Sequence, residues 1–94
     1  MTDTIHPGET WRRTVTISDG DGPVDPTEMT AVLCPEIPMT VTTISTGLHE
    51  VSLTEEQTEV LVPGPTRWEL WGRVGSDMLL ITAQYVEVDE VCGP

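Results

Sequence analysis

Two histidines, two cysteines and sixteen acidic residues are what this chain of 94 residues offers for chemistry. His6 lies in a polar N-terminal stretch, and His49 stands beside Glu50 at the start of an apolar alternation. Neither falls in a pattern that positions a nucleophile. There is no G-x-S-x-G elbow, no H-E-x-x-H and no neighbouring Cys–His pair, so an enzyme is not expected. Cys34 and Cys92 lie far apart with no histidine or further cysteine near either, which leaves a structural zinc site short of ligands. Two free thiols are the expectation for a reducing cytoplasm.

Asp19-Gly20-Asp21-Gly22 begins like a calcium loop, because oxygen ligands at alternate positions can converge on a hard cation. The slots for a third ligand and a closing glutamate hold Pro23 and Thr30, so the segment reads as a plain turn and no metal or other cofactor is expected. Glu55, Glu56 and Glu59 fall on a predicted first helical turn, where negative charge suits the positive end of the helix dipole. The tryptophans are more informative. In a chain without phenylalanine, Trp11 and Trp68 are the natural large core fillers, whereas alternation places Trp71 opposite Trp68 and on the same face as Arg67 and Arg73. A tryptophan flanked by two arginines is a candidate protein-interface anchor, since both types are enriched at interface hot spots. The competing explanation is that Arg67 and Arg73 merely stack over Trp71 on the surface.

Net charge narrows the partners. The chain carries −12 from sixteen acids against four arginines, with no lysine. It therefore lacks the basic stripe that nucleic acid needs, and Arg12 and Arg13 are read as neighbours on a strand facing opposite sides. Anionic membranes are disfavoured by the same charge, no run approaches the roughly 20 apolar residues of a span, and Met1-Thr2-Asp3-Thr4 lacks the regions of a signal peptide. Synthesis in the cytoplasm is expected.

The elements that must position these residues are short and mostly extended. Residues 1–9 read as an N-terminal arm, 10–89 as one domain and 90–94 as a tail; the length allows a single core. Thr10–Ser18 alternates, with Trp11, Arg13, Val15 and Ile17 on one face. Turn chemistry at Asp19–Pro23 and an irregular link precede a strand at Met29–Cys34, and Pro35 and Pro38 are expected to bar an interior ladder around Glu36-Ile37. Met39–Ser45 and Leu48–Leu53 follow as strands, then Thr54-Glu55-Glu56-Gln57 matches a capping box that starts a short helix. Thr66–Val74 and Met78–Val88 are long strands, expected to be joined by a three-residue loop, Gly75-Ser76-Asp77. Leu79-Leu80-Ile81 is apolar throughout and out of register with Val86 and Val88, which predicts a bulge or a strand covered on both faces. Six strands with one helical turn indicate an all-β sandwich or open barrel.

In order along the chain, Gly8-Glu9-Thr10-Trp11-Arg12-Arg13-Thr14-Val15, then Gly22–Ala31, then Leu53-Thr54 with Gln57-Thr58 and Leu61, then Gly64–Trp71 and Leu79–Val88 form a pattern. It resembles small immunoglobulin-like virion structural proteins of tailed bacteriophages, and is similar to the N-terminal domain of baseplate upper proteins. The resemblance implies an immunoglobulin-like β-sandwich of six to seven strands. It further implies a non-enzymatic role at the head, the head-to-tail junction or the tail, in a symmetric assembly with capsid, connector or tail proteins. Its place would be the virion, and the host cytoplasm during assembly. The resemblance carries over no catalytic or ligand residues. Two other classes compete: a carbohydrate- or receptor-binding sandwich module, which would want more exposed aromatics in a cleft, and an acidic mimic of nucleic acid, whose charge would be grouped rather than spread over turns.

Overall fold

The computed structural model describes residues 3–34 and 37–90. In chain order the elements are β1 (Asp3–Ile5), β2 (Trp11–Thr16), β3 (Ser18–Asp19), β4 (Gly22–Pro23), β5 (Met29–Leu33), β6 (Ile37–Ser45), β7 (Leu48–Leu53), α1 (Glu55–Glu59), β8 (Gly64–Val74) and β9 (Asp77–Val88). The strands are where alternating apolar residues and threonines concentrate, because branched side chains suit a pleated, half-buried surface. The helix starts where expected. Thr54 Oγ1 accepts from the Gln57 amide at 3.2 Å while Gln57 Oε1 accepts from the Thr54 amide at 2.9 Å, which closes the capping box.

Hydrogen-bonded neighbours run β1-β9-β8-β5-β6-β7-β2, with β3 and β4 a separate two-stranded ribbon that forms the Asp19–Gly22 turn. β6 belongs to two layers. Residues 37–39 pair with β5, and 40–45 pair with β7, so the chain passes from one sheet to the other within a single strand and folds the order into an all-β sandwich. Pro38 lies inside this strand, against the expectation that it would bar a ladder. It is tolerated because that part of β6 is an edge: the Pro38 carbonyl turns outward to accept from Gln57 Nε2 at 2.7 Å, and the missing N–H would have pointed the same way.

The core fills the space between the layers. Trp11 on β2 meets Trp68 on β8 edge-on, with ring centroids 5.9 Å apart, and Leu33, Val51, Leu53, Leu70, Val86 and Val88 surround them. Opposite the β6 crossing, the sandwich is closed by a clasp: Arg13 on β2 makes a bidentate ion pair with Asp3 on β1 and lies 5.0 Å over the Trp11 ring. Arg12 is exposed, so the two arginines do face opposite sides. The segment read as a polar arm thus contains a strand, β1, which runs parallel to the end of β9. A three-residue strand has no usable alternation, and only its pairing and the burial of Ile5 define it.

The β8–β9 connection is shorter than expected. Asp77 pairs with Val74, leaving only Gly75 and Ser76 in the loop. Gly75 has φ of 65° and Ser76 is not left-handed, as in a type II′ turn. The bulge is present: Leu70 opposes Thr82 and Trp71 opposes Leu80, so Ile81 is the extra residue, and the two halves of β9 take opposite parity.

Candidate functional site

β8 positions the candidate interface residues by alternation. Trp68, Leu70 and Gly72 are buried, while Arg67, Glu69, Trp71 and Arg73 occupy the other face and are half-buried. The structure therefore brings Arg67, Trp71 and Arg73 onto the outer face of the sheet. Cross-strand register adds residues that sequence reading did not single out: Tyr85 beside Arg67, Ala83 beside Glu69, Leu80 beside Trp71 and Met78 beside Arg73. Tyr85 is 71% exposed, Leu80 47% and Met78 38%. For Leu80 the signal in the sequence was the apolar run Leu79-Leu80-Ile81, of which Leu79 and Leu80 are left about half exposed.

The arginines are occupied by acids of the same chain. Arg67 forms an ion pair with Glu69, whose charge raises the guanidinium pKa above its ordinary value. Arg73 approaches Glu28 at 3.4 Å and donates to the Ser76 carbonyl at 3.1 Å. Glu69 also accepts from the Trp71 indole Nε1 at 3.2 Å, so it bridges the cation and the aromatic. Neither arginine stacks on Trp71; among the described residues the one cation–π contact is Arg13 on Trp11. With its cations paired and its indole N–H satisfied, the face sets Trp71, Leu80, Met78 and Tyr85 beside arginines that are already held by acids of the same chain. Beside it an open hollow of about 510 Å³ is lined by Cys34, Pro65, Thr66, Arg67 and Tyr85.

The remaining chemistry-bearing residues are dispersed. His49 is wholly buried on the inner face of β7, where Nδ1 is 3.1 Å from Thr43 Oγ1 and Nε2 is 3.2 Å from Asp25 Oδ1. The same Asp25 oxygen accepts from the Gly47 amide at 2.8 Å, so this group ties the segment after β4 to the β6–β7 turn. His6 is on the surface, 3.3 Å from Asp89. Asp19 Oδ1 accepts from the Asp21 amide at 2.7 Å, which is the local bond of a turn. Among the described residues no three His, Cys, Asp or Glu side chains are grouped so as to hold a metal ion. No described helix is long and apolar enough to cross a membrane. Cys34 is half-buried at the end of β5, and Cys92 lies outside the described residues. No family model, no curated protein and no solved structure matches the chain.

Proposed function

We propose that this chain is a non-enzymatic structural component of a tailed-phage virion, at the head, the head-to-tail junction or the tail, and that it docks through the outer face of β8 and β9. The observation that carries the docking is the uncovered surface around Trp71, with Leu80, Met78 and Tyr85 beside it. A large aromatic set among exposed aliphatics, with a polar rim, is the composition of an interface centre. Because Arg67 and Arg73 already hold Glu69 and Glu28, the complementary surface on a capsid, connector or tail protein is apolar rather than acidic. The virion itself is inferred from the ordered resemblance running from Gly8 to Val88. Gradient sedimentation of intact particles tests it: the protein is expected to travel with them at a fixed copy number. Recovery only at the top of the gradient would reject the reading.

A further inference from the structure

Glu69 is an unexpected residue for its position. It is the central residue of β8, its neighbours across the sheet are Val32 on β5 and Ala83 on β9, and its side chain is only 14% exposed. Glutamate is depleted from strands, and a carboxylate between apolar neighbours gives up hydration that they cannot replace. A β-branched side chain would suit the pleat better. The carboxylate oxygens are used instead along their own strand. Oε2 accepts from Arg67 Nη2, two residues before, and Oε1 accepts from the Trp71 indole Nε1, two residues after, at 3.2 Å. Residues that break a local preference in this way are found where the cost serves a site.

We infer that Glu69 is a positioning residue of the docking face, which fixes the Trp71 ring and satisfies its N–H before a partner covers it. The inference rests on the reading that this face docks. An indole is an apolar body with one donor, and a donor covered without a partner costs more than its hydrogen bond gains. Because Glu69 supplies the acceptor from within the strand, the surface that receives Trp71 needs none of its own. The ring is also held in one orientation beforehand, so docking loses less side-chain freedom. Specificity follows from the same contact: a partner that offers a carboxylate or carbonyl to the ring finds the N–H already taken, and an apolar surface is preferred.

Glu69→Val and Glu69→Gln, compared with Trp71→Ala, test this in the isolated chain and in particles. Valine suits the strand and Arg67 is exposed enough to be hydrated alone, so Glu69→Val is expected to melt at or above wild type. Its Trp71 indole N–H is expected to exchange with solvent at least about fivefold faster than in wild type. In particles assembled with both proteins present, it is expected to be under-represented at least about fivefold, the cost of covering an unpaired donor. Glu69→Gln keeps an acceptor for the indole and is expected to recover both properties. A valine variant that melts well below wild type would make Glu69 a support of the fold and overturn the inference. Unchanged indole exchange would overturn it too, as would a glutamine variant as depleted as valine, or valine packaged normally where Trp71→Ala is depleted. Normal packaging of folded Trp71→Ala is the distinct result that fails the docking reading itself, and the inference with it.

Discussion

Thr58 is a polar side chain with no exposed surface, and replacing it with valine tests how the helix holds the chain entry to β2. Its hydroxyl accepts from the Gly8 amide at 3.0 Å and is shared as a donor between the Glu9 carbonyl at 2.8 Å and the Glu55 carbonyl at 3.1 Å. Two of these bonds tie the β1–β2 connection, and with it the edge strands of both layers, to α1. Valine keeps the shape and removes the hydroxyl, leaving the Gly8 N–H and Glu9 C=O without their partner. Each net bond contributes about 1 kcal/mol, and more if the orphaned group is dry. Gly8 and Glu9 are exposed as residues, so water recovers part of the loss, and we expect Thr58→Val to cost about 1–2 kcal/mol. At 4–8 °C per kcal/mol for a domain of this size, that is a fall in Tm of roughly 5–15 °C. Thr58→Ser keeps the hydroxyl and loses one methyl, about 0.8 kcal/mol, so it is expected to lie between wild type and valine. Thermal and urea unfolding, with exchange of the Gly8 amide, measure both effects. A valine variant as stable as wild type, or less damaging than serine, would refute the reasoning.

The Asp3–Arg13 clasp should make stability acid-sensitive. Hydrogen bonding to Arg13 holds the Asp3 carboxyl below its ordinary value, so its contribution is fully present above the unfolded pKa of about 4 and is lost as pH falls through the lower folded value. Both side chains are partly exposed, so Asp3→Asn is expected to cost at most about 1 kcal/mol at pH 7, and urea melts should show the gap to wild type closing below pH 4; a gap that widens in acid would contradict this. Gly47→Ala should be severe, because φ is 76° and the new Cβ would lie 2.5 Å from Pro23 Cβ and 2.9 Å from the Ile17 carbonyl oxygen. A loss of about 2 kcal/mol or more is expected in a thermal melt, and a neutral variant would show that the turn relaxes freely.

Much of the fold was legible because alternation is a strong signal where one face is buried. Trp11 and Trp68 inward, Trp71 outward and the capping box at Thr54 follow from residue order alone, whereas the register change in the last strand allowed a bulge or a strand covered on both faces, and the pairing decides for the bulge. What was not legible depends on partners distant in sequence. β1 exists because Asp3–Ile5 finds β9, and Pro38 fits because β6 is an edge at that point. The buried His49 looked like a strand-start residue, since its contacts with Thr43 and Asp25 come from another strand and a loop. At the candidate site, Arg67, Trp71 and Arg73 were placed on one face correctly, but Glu28 and Glu69, which neutralise the cations, carried no pattern that tied them to it. Residue order suggested a tryptophan between two cations; both cations are paired with acids of the same chain, which on our proposal leaves Trp71 as an apolar anchor.

The most direct measurement of that claim is the occupancy of Trp71→Ala in purified particles. Trp71 is half-buried on the outer face, so the variant is expected to keep its fold and melt near wild type. Loss of a true anchor removes about 2 kcal/mol or more of binding, on the order of a 30-fold drop in affinity. We predict that the folded variant accumulates in cells and is depleted from particles sedimented beside wild type. Wild-type occupancy by a folded Trp71→Ala protein would contradict the account and place the contact away from this face.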